Sequence, residues 1–260
     1  MAFSYRDGRV TLAKCVAPLN IRWSQPLPKD ADPSSVTVSR DPAGRWHVSI
    51  QVEAIVEALP AVTTTVGIDM GITCLVAMST AEKVPNPRHE RKDRARLALV
   101  QRRLSRKANG SANRFKARVK VAKVHARIAD RRRDVLHKLS TRIVHENQVV
   151  IIEDLAIRNM VRNHSLARSI FDASWSEFRR QLEYKAAWYG RTVVAIDRWC
   201  PSSKTCSVCG WVATTMPLNV RSWICQCGAI HDRDVNAARN IQAAGLAVLA
   251  CGDGVRPSRT

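Results

Sequence analysis

Four cysteines in the last quarter of the chain are spaced as metal ligands usually are. Cys206 and Cys209 form a Cys-x-x-Cys pair, and after fifteen intervening residues Cys225 and Cys227 form a tighter Cys-x-Cys pair. Zn²⁺ takes about four thiolates in a tetrahedron, two from each tight turn. Buried thiols or disulfides are the alternatives, but no stretch of the chain resembles a signal peptide, so a disulfide framework is not expected. The spacing predicts structural zinc.

Three acidic residues lie in apolar sequence contexts. Asp69 is the one charged residue of the segment Thr65–Met78, which predicts a strand, a glycine turn and a second strand. Glu153 follows four apolar residues of a further predicted strand. A carboxylate in such a setting is destabilising unless a cation compensates it. Asp234 heads a predicted helix and shares its inward-facing stripe with Ala237, Ile241, Ala244 and Val248.

Other roles remain open for acids in these segments. Asp69 fits a turn at a strand end, and Asp234 fits an acid that complements the helix dipole. Asp232 lies off the apolar stripe and is predicted to be the helix N-cap. Because side chains alternate along a strand, Asp154 points to the side opposite Glu153, so Glu153 is the candidate ligand.

Three carboxylates that are gathered together would repel one another and need divalent cations between them. Hard oxygen ligands favour Mg²⁺ or Mn²⁺. Two such ions about 3.5–4 Å apart activate a water on one side of a phosphodiester and stabilise the leaving oxygen on the other. An ATPase of the actin or sugar-kinase type is disfavoured, because a second glycine-rich phosphate segment is missing. DNA strand transfer is also disfavoured, since no Tyr or His-x-His site for it is apparent.

The charge of the chain indicates a polyanionic partner. The formal net charge is +20 over 260 residues. No apolar run approaches the ~18 residues that cross a bilayer, so we expect a soluble protein. An acidic membrane surface is an alternative partner, but the basic residues of the chain are not paired with an amphipathic face rich in Trp, Phe or Leu. Nucleic acid is the expected partner. The single cysteines Cys15, Cys74, Cys200 and Cys251 fit reduced thiols, so we expect a cytoplasmic protein.

Most of the excess charge lies between residues 88 and 133, with eighteen Lys or Arg and three acids. Helices are predicted over 91–107 and 113–145, joined at Asn109-Gly110-Ser111, each with an apolar stripe that faces a core. A charge run is often only a solvated face, but its one-sidedness here favours contact with a phosphate backbone. The candidate nucleic-acid contacts are Arg91, Lys92, Arg94, Arg102, Arg103, Arg106, Lys107, Arg114, Lys116, Arg118, Lys120 and Lys123.

The remaining segments position these residues. The Asp7-Gly8 turn and the alternation around Asp41-Pro-Ala-Gly44 predict two β-hairpins in residues 1–58. Two hairpins are too little for a stable domain, so we expect part of a small barrel. Later in the chain the pattern predicts a strand over Thr192–Ile196 and a disordered tail after Cys251. It also predicts one helix over Phe171–Tyr189, with Trp175, Phe178, Leu182 and Trp188 packed inside.

Four motifs together resemble the TnpB family, the RNA-guided endonucleases of IS200/IS605 transposons that are also called OrfB-type transposases and are related to compact type V CRISPR effectors. The motifs are Gly67-Ile-Asp-Met-Gly71, Ile151-Ile-Glu-Asp-Leu155, the segment Pro201–Gly210 and the segment His231–Ile241. The resemblance covers residues 60 to 245. It implies an α/β fold with a ribonuclease H-like (RuvC) core, in which Asp69, Glu153 and Asp234 bind magnesium and the four cysteines bind zinc. It also implies a guide RNA and a target DNA as partners, and a prokaryotic protein associated with the nucleoid.

The resemblance further implies a domain division. Residues 1–58 correspond to a partial, wedge-like β-barrel segment, residues 59–199 to the nuclease core with the basic helical hairpin at 88–146, residues 200–231 to a zinc-ribbon insertion, and residues 232–250 to the last core helix, followed by the tail 251–260. Family members usually have two residues between the second pair of cysteines, whereas one separates Cys225 from Cys227. They also usually carry a longer amino-terminal part, so we expect part of that region to be missing.

The leading hypothesis is therefore a metal-dependent DNA endonuclease guided by RNA. The alternative is a nucleic-acid-binding regulator on the same core that does not cut efficiently. A non-cutting relative would be expected to lose one of the acids, and the presence of Asp69, Glu153 and Asp234 favours cutting.

Overall fold

The structure is a computed structural model that describes residues 2–28, 31–217 and 219–252. The chain divides into two compact units, one of Met1–Val56 with Arg94–Arg127 and one of Glu57–Asp93 with Ile128–Thr260. Residues 253–260 of the predicted tail lie outside the described residues. Among the described helices, none combines the length and apolar character that crossing a membrane requires.

The first unit contains the two predicted hairpins. Strands β1 (Phe3–Arg6) and β2 (Arg9–Leu12) pair antiparallel, as do β3 (Pro33–Arg40) and β4 (Trp46–Val52). Asp7 and Gly8 have φ values of 49° and 73°, as the two-residue turn between twisted strands requires. The two hairpins form separate two-stranded sheets within the described residues. The barrel interpretation therefore stays a prediction.

Two long helices run from one unit to the other. They are α1 (His89–Ser105) and α2 (Ala112–Glu146), within two residues of the predicted bounds. Gly110 turns the chain between them at a φ of 77°. The Arg114 guanidinium donates to the carbonyl oxygens of Leu104 and Lys107 at 3.3 and 2.9 Å. It therefore provides hydrogen-bond partners for backbone carbonyl groups at the carboxyl end of α1, which have none within the helix.

A five-stranded sheet forms the centre of the second unit. Its order is β7-β6-β5-β8-β9, with β5, β8 and β9 parallel and β6 and β7 antiparallel. The strands are β5 (Thr65–Met70), β6 (Cys74–Met78), β7 (Lys83–Pro85), β8 (Val149–Glu153) and β9 (Thr192–Ile196). The strands predicted after Thr65, at Val149 and at Thr192 are confirmed.

Side-chain alternation along the strands separates two apolar clusters. Val150 and Ile152 of β8 belong to the larger cluster, which includes Ile143 of α2. That cluster also contains residues of α4 (His164–Ala173) and α5 (Trp175–Tyr189), which follow the short α3 (Ile157–Met160). Ile151 points the other way and packs with Ile241 of α6 (Arg233–Ala250). Helices therefore cover both faces of the sheet.

Close backbone approach seats α6 on the sheet. A Cβ built on Gly67 of β5 would lie 2.1 Å from the carbonyl oxygen of Ala238, and one built on Gly245 would lie 2.4 Å from Ile151 Cγ2. Because real Cβ atoms do not come this close, only glycine fits at these two positions. Ala237 and Ile241 of the predicted stripe are buried, whereas Val248 is 38% exposed, so its inward placement was wrong. In the last turns of α6, Leu249 packs against the cluster that contains Ile241, and Val248 lies on another side of the helix.

The single helix predicted over Phe171–Tyr189 was also wrong. Ser174 adopts a left-handed conformation, with φ 52° and ψ 46°, and separates α4 from α5. Trp175, Phe178 and Leu182 are buried as predicted, but Trp188 is 53% exposed. The break is not the cause of that exposure, since all four residues lie in α5. Trp188 is six residues beyond Leu182, about 240° around the helix, so it lies on a different face.

Candidate active site and metal centres

Asp69 and Glu153 lie on neighbouring parallel strands. Ile68 of β5 pairs in register with Ile152 of β8, so the next residue of each strand is an acid. Since Ile68 and Ile152 face the larger apolar cluster, Asp69 and Glu153 face the side that α6 covers. Asp234 lies in the first turn of α6. The fold thus brings the three predicted acids to one edge of the sheet, the carboxyl end of β8.

The acids experience one another electrostatically. Burial, together with repulsion from Glu153 and Asp234, raises the pKa of Asp69 from 3.8 to about 7. Burial also raises the pKa of Glu153, although a hydrogen bond from the Ser202 hydroxyl opposes the change. Burial thus disfavours the ionised form of both carboxylates, and like charge adds to this effect at Asp69.

Two basic side chains that the sequence analysis missed lie against Asp234. Lys83 Nζ is 3.4 Å from Asp234 Oδ2 and 2.7 Å from Oδ2 of Asp232, the helix N-cap. Arg221 Nη1 is 3.5 Å from Asp234 Oδ1. Lys83 lies on the three-residue strand β7, where the sequence carries no helical or alternating pattern that would have indicated its position.

Three carboxylates are the donors that a hard divalent cation prefers. Asp69, Glu153 and Asp234 fit magnesium or manganese in charge and donor type, and the raised pKa values of Asp69 and Glu153 agree with a site that needs a cation. Within the part of the chain that the structure describes, however, only the four cysteines place all their ligand atoms within 4.8 Å of one another.

Those four cysteines form a second candidate metal centre. The Sγ atoms of Cys206 and Cys227 are 3.8 Å apart, and those of Cys209 and Cys225 are 3.6 Å apart. In a tetrahedron with Zn–S bonds of ~2.3 Å, two sulfurs lie about 3.8 Å from each other. The thiolate set and its spacing therefore fit zinc, and the single residue between Cys225 and Cys227 does not prevent convergence.

Hydrogen bonds connect the segment that carries the four cysteines, residues 201–227 (the cysteine knuckle), to α6 and to Glu153. Asn236 of α6 accepts from the Ser207 N–H at 3.0 Å and donates to the Thr205 carbonyl oxygen at 2.7 Å. Asn240 donates to the carbonyl oxygens of Ser202 and Thr205 at 2.7 Å each, and the Ser202 hydroxyl donates to Glu153. The sequence analysis missed Ser202, Asn236 and Asn240. Two asparagines four residues apart in a helix were a detectable signal, because asparagine is a poor residue for a helix interior.

The basic side chains of α1 and α2 are largely exposed. Eleven of the twelve candidate nucleic-acid contacts are exposed, and Arg114 is partly buried in its bonds to backbone carbonyl groups. Leu97, Val124 and Ile128 on the opposite side of the helices are buried, as the apolar stripes predicted. The exposed residues remain predicted nucleic-acid contacts, and Arg114 has a structural role besides.

Sequence comparisons identify two family profiles along the chain. The profile described as "Probable transposase" of the OrfB_IS605 type matches residues 46–164. The profile described as "Cas12f1-like, TNB domain" matches residues 175–241, which contain the cysteine knuckle.

Full-length relatives agree with these profiles. A "Putative RNA-guided DNA endonuclease" of Streptomyces pristinaespiralis is 66% identical over 258 residues, which are 99% of this chain and 64% of the relative. A "Putative RNA-guided DNA endonuclease InsQ" of Escherichia coli K12 is 38% identical, over 86% of this chain and 60% of the relative. The chain thus spans less than two thirds of the length of these relatives.

Two solved structures share the fold. A cryo-EM structure of a Cas12f1–sgRNA–target DNA complex superposes with a TM-score of 0.58 at 19% identity, covering 82% of this chain and 46% of that one. A CRISPR–Cas12f ternary complex gives a TM-score of 0.52 at 20% identity, with the same coverage.

Fold and profiles together define a mixed α/β protein of the class formed by OrfB-type transposases and Cas12f1-like proteins. Within that class, the chain is similar to proteins named RNA-guided DNA endonucleases, which agrees with the resemblance of its motifs to the TnpB family.

Proposed function

We propose that this chain is an RNA-guided, metal-dependent DNA endonuclease that hydrolyses DNA phosphodiesters at a centre formed by Asp69, Glu153 and Asp234. The observation that carries the proposal is the placement of these acids: Asp69 and Glu153 follow residues that pair in register on neighbouring strands, and Asp234 lies in the first turn of the helix packed on them. The naming of the relatives as RNA-guided DNA endonucleases supports it.

In this proposal the sheet with α6 is a RuvC core of ribonuclease H-like fold. Residues 1–58 form a partial barrel segment, the hairpin at 88–146 a basic insertion, residues 200–231 a zinc ribbon and residues 232–250 the last core helix. Asp69, Glu153 and Asp234 would hold Mg²⁺ or Mn²⁺. Those ions supply an activated water and stabilise the leaving oxygen in a two-metal hydrolysis.

The proposed partners, a guide RNA and a target DNA, are inferred from the positive charge of the chain and from its similarity to RNA-guided DNA endonucleases. The exposed basic residues of α1 and α2 match the phosphate backbones of a guide RNA and a target DNA. Recognition through the backbone reads charge and shape, so sequence specificity would come from base pairing with the guide. A DNA target would place the protein at the bacterial nucleoid.

The test begins with purification of the protein from cells that express it from its native genetic locus. The RNA that copurifies with it is then sequenced. With that RNA and Mg²⁺, DNA that matches the guide should be cut. Asp69→Asn, Glu153→Gln and Asp234→Asn should each lower the cleavage rate at least about 10³-fold and leave DNA binding within a few-fold. Asp134→Asn, which removes an exposed carboxylate paired with Lys138, is the matched control. Binding without cleavage by the parent chain would instead support the regulator.

A further inference from the structure

His231 is buried against the cysteine knuckle and contacts one of its thiols. The residue is 3% exposed, and its Nε2 atom is 3.0 Å from Cys206 Sγ. The Trp223 ring lies against the imidazole, with the two ring centroids 4.6 Å apart. Among the described residues, the four cysteines alone bring their ligand atoms together, so His231 contacts a candidate zinc ligand and not the metal position itself.

The contact between His231 and Cys206 has a definite direction when zinc is bound. A cysteine that ligates zinc is a thiolate, which carries negative charge and has no proton to donate. The imidazole must then donate from Nε2, which gives a charge-assisted N–H···S hydrogen bond. A neutral thiol is a weaker acceptor, so loss of zinc removes most of this restraint on the histidine.

His231 lies in a short hairpin that leads into α6. Strands β10 (Ser222–Ile224) and β11 (Ile230–Asp232) pair antiparallel, with His231 opposite Trp223. The second pair of cysteines lies in the loop between these strands. With zinc at the cysteines, the loop is held by its own ligands, and β11 is held by the hydrogen bond to Cys206.

Asp232, the last residue of that hairpin, connects it to the acid centre. Its Oδ1 atom accepts from the backbone N–H groups of Asp234 and Val235 at 3.1 and 3.0 Å, which makes it the N-cap of α6. Its Oδ2 atom accepts from Lys83 Nζ at 2.7 Å. Only two residues separate His231 from Asp234. A displacement of the imidazole would therefore change the position of the cap and of the Asp234 carboxylate.

We infer that His231 couples zinc at the cysteines to divalent-metal binding at the acids, by donating to the Cys206 thiolate and so fixing the start of α6. The inference deepens the proposed function and rests on it, because Asp234 is one of the proposed metal ligands. His231 is a positioning residue, since it acts through Cys206 and Asp232. The coupling is reciprocal, so Mg²⁺ or Mn²⁺ at the acids should in turn strengthen zinc binding.

Asn236 and Asn240 provide a second route from the cysteine knuckle to α6. Each donates to the Thr205 carbonyl oxygen at 2.7 Å. These bonds involve neither a ligand thiolate nor the helix cap, so variants of His231 distinguish the two routes.

The first test measures Mn²⁺ affinity by calorimetry, with one equivalent of zinc bound and again after zinc has been removed by a chelator. In the parent, zinc should strengthen Mn²⁺ binding at least about fivefold. His231→Phe keeps a ring against Trp223 and removes the donor, so that factor should fall below about twofold. His231→Gln keeps an N–H donor and should retain most of the factor. His125→Leu removes an exposed histidine of α2 and should match the parent.

A spectroscopic measurement tests the hydrogen bond itself. Co²⁺ at the cysteines gives thiolate-to-metal charge-transfer bands, and a hydrogen bond to sulfur raises their energy because it stabilises the donor electrons. The bands should move to lower energy in His231→Phe and stay near those of the parent in His231→Gln. Competition with a chelator should show zinc binding weakened about tenfold or more in His231→Phe. A role in packing alone would lower the melting temperature and leave the bands in place.

An undiminished effect of zinc on Mn²⁺ affinity in His231→Phe would overturn the inference and assign the coupling to Asn236 and Asn240. Loss of the effect in both variants of His231 would also overturn it, because the ring and not the donor would then matter. If His231→Phe does not fold with zinc, His231→Gln decides, since the donor role predicts that the coupling is retained without the ring.

The proposed function has a separate control in the same measurement. Asp69→Asn should weaken Mn²⁺ binding to the zinc-loaded protein. An unchanged affinity would mean that the acids do not bind the metal, which contradicts the proposed function, while the Co²⁺ bands still decide whether His231 donates to Cys206.

Discussion

Asp69 is an acid that the fold surrounds with like charge. Its side chain keeps some contact with solvent, yet burial and the neighbouring Glu153 and Asp234 raise its pKa to about 7. The sequence predicted the acid and its partners, because an isolated charge in an apolar strand is conspicuous. It did not predict Lys83 or Arg221, whose positions depend on how β7 and the cysteine knuckle pack around α6.

The raised pKa of Asp69 predicts how stability depends on pH without metal. The folded protein holds the proton more tightly than the unfolded chain, so the associated stability is present at pH 4 and is lost as the pH rises through about 7. A shift from 3.8 to about 7 corresponds to at most about 4 kcal/mol, and access to solvent makes the effect smaller. Without added Mg²⁺ or Mn²⁺, and with zinc retained, the melting temperature should fall between about pH 4 and pH 7.

Asp69→Asn should flatten that fall, and Mg²⁺ should restore the stability of the parent at pH 8 without doing so for the variant. Asp134→Asn should follow the parent. Parallel profiles for the parent and Asp69→Asn would show that Asp69 titrates normally.

Lys83 supplies positive charge that a metal ion would otherwise supply. Its ammonium group lies against Asp232 and Asp234, so a cation that binds Asp234 has to compete with it. We expect Lys83→Met to tighten Mn²⁺ binding several-fold in calorimetry and to lower the melting temperature of the zinc-loaded protein when no Mg²⁺ or Mn²⁺ is added. Lys138→Met breaks a similar ion pair, with Asp134, on the surface of α2 and should change neither value. Weaker Mn²⁺ binding by Lys83→Met would mean that the lysine orients the acids instead.

At the scale of elements, the sequence predicted most helices and strands well. The Asp7-Gly8 turn, the strands of the sheet and the two long helices follow from alternation, helical spacing and turn residues. The break at Ser174 could not be predicted, because the left-handed conformation falls on a residue with no special preference for it. Trp188 is exposed for a separate reason, because it lies on a different face of α5 from Phe178 and Leu182.

The close approach of α6 to β5 makes Gly67 a sensitive position. Gly67→Ala would place a methyl group within 2.1 Å of one backbone atom of α6 and 2.6 Å of another, so the helix that carries Asp234 must shift. Overpacking of this kind is destabilising by about 1–3 kcal/mol. We expect denaturant unfolding to show at least that loss, with cleavage reduced further. Gly110→Ala, at a turn where a Cβ meets no atom within 4 Å, should lose only about 1 kcal/mol from its left-handed backbone.

The cysteine knuckle should stabilise the acid site as well as itself. Its hydrogen bonds reach Asn236, Asn240 and, through Ser202, Glu153. Cys206→Ser should therefore lower bound zinc to well below one equivalent and lower the melting temperature, and cleavage should fall with it. Cys15→Ser alters an exposed lone cysteine and serves as the control. A variant that loses zinc but keeps its melting temperature would separate the metal from the fold.

At the scale of the whole molecule, charge decides how tightly nucleic acid binds. The sequence shows a net charge of +20 and its concentration between residues 88 and 133, but not which exposed arginines are already paired. Structure was needed for that distinction. It shows that Arg114 donates to backbone carbonyl groups, whereas Lys116, Lys120 and Lys123 are exposed on α2.

Affinity for nucleic acid should depend steeply on salt. Each phosphate contact contributes about 0.7–0.9 to the slope of log affinity against log salt concentration. Replacement of Lys116, Lys120 and Lys123 by glutamine should reduce the magnitude of that slope by about 2–3 in anisotropy titrations. Replacement of the same three by arginine should leave the slope unchanged. An unaltered slope in the glutamine variant would mean that α2 does not contact phosphate.

The position of β5 under α6 also has a consequence for the timing of synthesis. β5 lies at the centre of the sheet, yet α6 follows it by about 165 residues in the chain. At about 5–20 residues per second, a ribosome needs roughly 10–30 s to pass from one acid to the last. A nascent or prematurely terminated chain therefore carries Asp69 and Glu153 without Asp234. The cell would be protected from a nuclease that is still being made, because the centre closes only after α6 has left the ribosome.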